Sequence, residues 1–286
     1  MADLRDTIQT QVHRLVGFGD GAVDLTRPPG DDGLFGPGSA AWVVHGDFTA
    51  MMAGGVAALL LQMLHPGALA GVWDHSNFRR DMLGRLRRTA QFISGTTYGS
   101  TATAEALIAK VRRIHDRVAG TLPDGTPYSA NDPDLLTWVH VAEVASFLAA
   151  HRRYRDPAFP AAEQDRYLAE YAVVAERLGA TGVPRTRAAL DAYLLAIRPQ
   201  LRVDHRTREV SRALLRQQPA SLAMAPAQTV LMEGGIDLLP DWAARMHSLD
   251  RPPLGKPAVR AGVAGIGSVL RWALRDGSAK RATTQG

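Results

Sequence analysis

The chain has 286 residues, 46% of them hydrophobic and 6% aromatic; this is enough apolar material for a sizeable core and excludes a disordered or collagen-like chain. It contains no cysteine, so disulfides, thiolate-bound metals, iron–sulfur clusters and cysteine nucleophiles are excluded. Its 33 basic and 28 acidic residues leave a net charge of +5, but the arginines alternate with Asp and Glu along helical patterns, the mark of a solvated face and not of a nucleic-acid-binding stripe.

The N-terminal stretch MADLRDTIQTQVHRL is amphipathic, predicting a first helix over residues 3–15, and lacks the features of a signal peptide; the expected location is the cytoplasm. Residues 17–40, rich in Gly, Pro and Asp, read as a long loop. From Phe48 to Trp73 the chain carries no formal charge. This stretch predicts an apolar helix that begins near Asp47 and breaks at His65-Pro66, short of the roughly 20 apolar residues a membrane span requires. We expect it to be a buried central helix and not a transmembrane span, with peripheral membrane contact as the remaining option.

Helical periodicity continues over 77–94, 101–119, 132–154, 161–178, 185–197, 204–217, 225–232 and 240–246, and after Pro252-Pro253 to about Leu274. Gly120 and the turn-rich TLPDGTPYSANDP end one helix, and Asp132-Pro133 supplies an N-cap with proline at the first helical position. No strand signal and no internal repeat is present. The expected fold is all-α, a single multi-helix globular domain over residues 1–274 with a frayed tail at 275–286.

Three of the nine histidines fall among apolar neighbours at helical spacing. His115 shares a stripe with Ile108, Val111 and Val118, with Arg112 one turn before it; His140 shares one with Leu136, Val144 and Phe147; His65 stands one turn after Leu61, before Pro66. Each alone reads more readily as a hydrogen-bonded core histidine than as a ligand. No HExxH and no paired ExxH motif is present, so helical zinc-hydrolase and di-iron sites are not indicated. Haem needs one axial histidine on an apolar wall, and its propionates suit arginines such as those at 79–80, 85/87/88 and 112–113. No nucleophile elbow or phosphate-binding loop appears.

The stretches QMLHPGALAGVWDHSNF (62–78), GRLRRT (84–89), VRRIHDRVAG (111–120) and GTPYSANDPDLLTWVH (125–140), with a weaker echo in GGIDLLPDWAARMHSL (234–249), resemble the DUF2236 family, which groups MpaB-type oxygenases with latex-clearing rubber oxygenases. The resemblance covers residues 38–249. It implies an all-helical domain enclosing a pocket for b-type haem, with His115 as the iron ligand and Arg112, Arg85, Thr89 and His140 in the haem environment. Where the rubber-cleaving branch has a lysine before the threonine, this chain has Arg88, which cannot act as a neutral ligand. The sixth iron position is then water, open, or filled by a group such as His65.

The function so implied is a haem-dependent oxygenase or oxidase using dioxygen, or peroxide, on a small apolar or amphipathic organic substrate. Arg85 and Thr89 would act at the pocket; Asp74 and His75 are candidate distal acids, with Asp74 alternatively capping the next helix. Leu60, Leu61 and Leu64 are expected to wall the pocket, and His65 to lie close to it. A non-catalytic haem sensor or carrier would share His115; a helical interaction protein would use none of these histidines as ligands.

Overall fold

The computed structural model describes residues 5–10, 12, 23–25, 27–219 and 221–274; the expected tail lies outside them, as do residues 3, 4, 11 and 13–15 of the expected first helix, of which residues 5–10 and 12 are helical. Helices follow one another as α1 (Ala40–His45), α2 (Phe48–Gln62), α3 (Pro66–His75), α4 (Met82–Tyr98) and α5 (Thr101–His115). A two-stranded antiparallel hairpin comes next, β1 (Ala119–Thr121) and β2 (Pro127–Ser129). Then come α6 (Pro133–Tyr154), α7 (Ala161–Leu178), α8 (Arg187–Ala196), α9 (His205–Leu215), α10 (Ala225–Leu238), α11 (Asp241–His247) and α12 (Lys256–Ala273). The chain forms a single, mostly helical domain.

Most helix starts are local. Asp47 accepts from the Ala50 amide, Asp132 from those of Asp134 and Leu135, and Asp204 forms a capping box with Thr207, satisfying amides that have no partner inside the helix. Two elements differ from expectation. Residues 40–45 are helical, started by Ser39, although the preceding glycines and prolines read as loop to residue 40. The hairpin lies in the expected connector, where strands of three residues are too short to show alternation. Its effect is specific: Tyr128 packs over Gly120, where a Cβ would lie 2.9 Å from the ring.

Helix α2 is the centre of the domain. It is apolar on every side, and α3 leaves it at His65-Pro66 with a bend of 103°. Among the described residues no single helix is long and apolar enough to cross a membrane. Leu60, Leu61 and Leu64 are almost completely buried in the core and do not line the cavity of about 660 Å³ as expected; the neighbouring Leu59 does. In a helix without a polar face, periodicity carries no phase.

Small residues let the helices approach. A Cβ on Gly54 would lie 2.8 Å from Phe147 Cδ1 and 3.2 Å from Ala150 of α6, and one on Gly235 of α10 would lie 2.5 Å from Val56. A buried carboxylate ties the far ends together. Asp237, with a side chain 4% exposed, receives Arg153 from α6 and Arg260 from α12, both at 2.9 Å. Burial alone would raise its pKa; the Arg260 and Arg153 hydrogen bonds outweigh that and hold it low.

The two adjacent glycines of α2 provide a test. Gly54→Leu is expected to lower unfolding free energy by about 1–3 kcal/mol through overpacking against Phe147. Gly55→Ala, whose new Cβ meets nothing within 4 Å, is expected to be neutral or to gain up to about 1 kcal/mol of helix propensity. Denaturant titration of both variants checks the contrast, and equal effects would count against the close approach at Gly54.

Candidate active site

Helices α2, α4, α5, α6 and α7, with Gln228, Leu231 and Met232 of α10, surround one cavity of about 660 Å³, within the size range of small-molecule and cofactor sites. The wall takes Phe48, Met51, Met52, Gly55 and Leu59 from α2; Arg85, Leu86, Thr89, Phe92 and Ile93 from α4; and Val111, Ile114 and His115 from α5. Helix α6 adds Leu136, Val139, His140, Glu143 and Phe147, and α7 adds Tyr171, Val174, Ala175 and Leu178. The sets from α2, α5, α6 and α7 recur every three or four residues, one face of a helix, whereas α4 lines the cavity with every residue from Arg85 to Ser94. The cavity reaches the surface where Ile114, 51% exposed, lines it.

His115 stands on this wall near the end of α5. Its Nδ1 is buried without a hydrogen-bond partner, and burial lowers its pKa against the opposing pull of Asp116. His140, 5% exposed, has an unpartnered Nε2 and is pushed down to about 4 by burial. Arg85 is half-buried on the wall, forms no ion pair among the described residues, and has its pKa lowered by burial and then by Arg88. A buried polar atom without a partner costs about 1–3 kcal/mol, so the two unpartnered imidazole nitrogens around one apolar space, with an unpaired arginine beside them, mark a place for a ligand.

The cavity therefore brings together His115, His140, Arg85 and Thr89, whose hydroxyl donates to the Arg85 carbonyl at 3.2 Å. His75 lies at its margin, its Nε2 3.1 Å from the Tyr128 hydroxyl, and that hydroxyl donates to Asp74 at 2.7 Å. Asp74 is exposed and absent from the wall; Asp81, and not Asp74, caps the following helix. Arg112 is exposed and donates to the Arg177 carbonyl on the outside. His65 caps α3 by accepting from the Gly67 amide and does not line the cavity. Arg88, in the place of the family's lysine, is exposed and pairs with Asp81.

Sequence reasoning missed three wall residues. Glu143 is the one acidic side chain on the wall among the described residues, and burial pushes it up to about 7. Its place in the stripe Leu136, His140, Glu143, Phe147 was a readable signal. Tyr171 carried none, and His45 lies in the unexpected helix α1. His45 bonds both ring nitrogens, to Thr97 at 2.9 Å and to the Tyr167 hydroxyl at 3.0 Å, and burial lowers its pKa to about 3.

The fold and cavity define a helical domain built to enclose a small organic molecule. A family profile described as "ER-bound oxygenase mpaB/B'/Rubber oxygenase, catalytic domain" matches residues 42–272, and the chain belongs to this family. It is thus an oxygenase domain, acting with dioxygen on a small molecule. No curated protein and no solved structure matches it significantly.

The buried imidazoles set a pH dependence. His140 is neutral in the folded state down to about 4 but titrates near its ordinary value when unfolded, so its contribution is full above about pH 6.5 and is lost as pH falls toward 4. His140→Phe is expected to flatten the fall in stability over that range by on the order of 3 kcal/mol. An unchanged slope in denaturation measured at several pH values would show that this ring is protonated in the folded protein.

Proposed function

We propose that this oxygenase holds b-type haem through His115 and uses dioxygen, or peroxide, to oxidise or cleave a small apolar or amphipathic molecule in the same cavity. The observation that carries the reading is the His115 imidazole, which makes no hydrogen bond among the described residues and stands on an apolar cavity wall. No three His, Asp or Glu side chains come together to hold a metal among the described residues, so iron here needs a carrier that supplies most of its ligands. A porphyrin does this and asks the protein for one imidazole.

Arg85 fits a propionate, because a half-buried guanidinium without a carboxylate partner binds one by charge-assisted hydrogen bonds. His140 supports the haem environment with a second unpartnered nitrogen. Haem, when bound, supplies the iron chemistry that activates dioxygen. This chain's residues do the rest: His115 fixes orientation, Arg85 neutralises the acid edge, and the apolar faces of α2, α4 and α7 keep water from the reacting molecule.

The protein as purified, or after addition of hemin, is expected to show a Soret band and a pyridine haemochrome of type b at one haem per chain. His115→Ala is expected to lose that haem while keeping its helix content by circular dichroism. Arg85→Ala is expected to weaken retention, with incomplete rescue by Arg85→Lys if the contact is bidentate. Full haem occupancy with an unchanged spectrum in His115→Ala removes this residue from the role, and failure of the wild type to take up hemin removes the cofactor.

A further inference from the structure

We infer that the part of the cavity walled by Glu143, His140 and Tyr171 is a subsite for a hydroxyl group, so that the substrate is an alcohol or phenol on an apolar body. The inference rests on the oxygenase reading for what becomes of the substrate, and on this cluster alone for what binds.

The three side chains form one group. His140 and Glu143 are one turn apart on α6, and both line the cavity. Tyr171 of α7 lies parallel to the His140 ring, with centroids 6.0 Å apart and an interplanar angle of 18°. Behind it, His45 meets the Tyr171 ring edge-on at 4.7 Å. Both nitrogens of His45 are already used, by Thr97 and Tyr167. It positions the tyrosines and has nothing left to offer a ligand.

The groups facing the cavity do have something left. The Nε2 of His140 and the hydroxyl of Tyr171 are buried without a partner, on residues 5% and 1% exposed. Thr96 and Thr97 flank the Tyr171 hydroxyl without a hydrogen bond to it: Thr96 donates to the Phe92 and Ile93 carbonyls, and Thr97 bonds His45. Glu143 makes no hydrogen bond and no ion pair with any described residue. Buried polar atoms are rarely left in this state, and here two of them, one from α6 and one from α7, stand on the wall beside the half-buried, unpaired Glu143 carboxyl.

Their chemistry selects the occupant. A phenol hydroxyl both donates and accepts, an imidazole nitrogen does either, and a carboxyl held near pKa 7 by burial accepts in one form and donates in the other. A hydroxyl also does both and satisfies such a set without adding charge. A carboxylate would bring a charge of its own into a space where burial already disfavours ionised Glu143. An ammonium would require Glu143 to be ionised where burial disfavours it. A hydrocarbon would leave every group unpaired. The arginines of the wall, Arg85, Arg87 and Arg88, all lie on α4, and neither α6 nor α7 adds one.

The test compares 2-naphthol with naphthalene, two ligands that differ by one hydroxyl, in equilibrium dialysis against the protein as purified. Glu143→Leu and Tyr171→Phe are each expected to weaken 2-naphthol binding about five- to tenfold and to leave naphthalene binding unchanged. Glu143→Gln is expected to retain most of the affinity. Exchanging an unpaired buried carboxyl for leucine of similar size does not endanger folding, and Tyr171→Phe is an independent second variant. Haem content is read from the Soret band of the same samples. If the variants affect both ligands equally, or neither, while the Soret band is normal, the subsite is wrong. Selective loss of 2-naphthol binding in protein that takes up no haem supports the subsite and counts against the haem reading alone.

Discussion

The contact on which the rest of the structure depends is the close approach of α2 to α6 at Gly54. An apolar helix without a polar face must be covered on every side, and α2 meets that demand with two glycines pointing in different directions. Gly54 admits Phe147 and Ala150 of α6, whereas Gly55 opens onto the cavity. Phe147 touches Gly54 and also lines the cavity, so the same packing that holds the two helices together sets the rotation of α6. That rotation turns His140 and Glu143 inward. The site is thus a consequence of core packing and not of a loop laid over a finished scaffold.

Much of this was legible in the sequence because it is local. The N-caps Asp47 and Asp132, the break at His65-Pro66 and the all-helical pattern depend on a few neighbouring residues, and the helices lie close to where periodicity put them. His115 and His140 were legible as polar residues within apolar stripes. Whether such a stripe meets another helix or an open space is decided by partners far away in the chain. The phase of α2 was therefore unreadable, and Leu59, not Leu60 or Leu61, faces the cavity. Tyr171 and His45 were hidden for the same reason.

Arg112 shows a second limit. Spacing places its Cβ near the face of His115, but a long side chain has its own reach, and the guanidinium ends on the Arg177 carbonyl outside. Asp74 and His75 are likewise claimed by Tyr128, which a hairpin more than fifty residues later brings to them. Both cases concern where a side-chain tip goes, and that is fixed by tertiary partners.

Buried histidines pushed low, a carboxyl pushed up and an arginine without an acid are all unfavourable in an otherwise apolar interior. A protein selected for stability alone would replace them with leucines, so their concentration on one wall points to a ligand that completes them. The most direct test of this account is the position of iron in crystals of the protein, located by its anomalous scattering. The account predicts a single strong peak inside the cavity at coordination distance from the His115 imidazole. A peak elsewhere, or iron in the cavity with the His115 ring turned away and unligated, would contradict it.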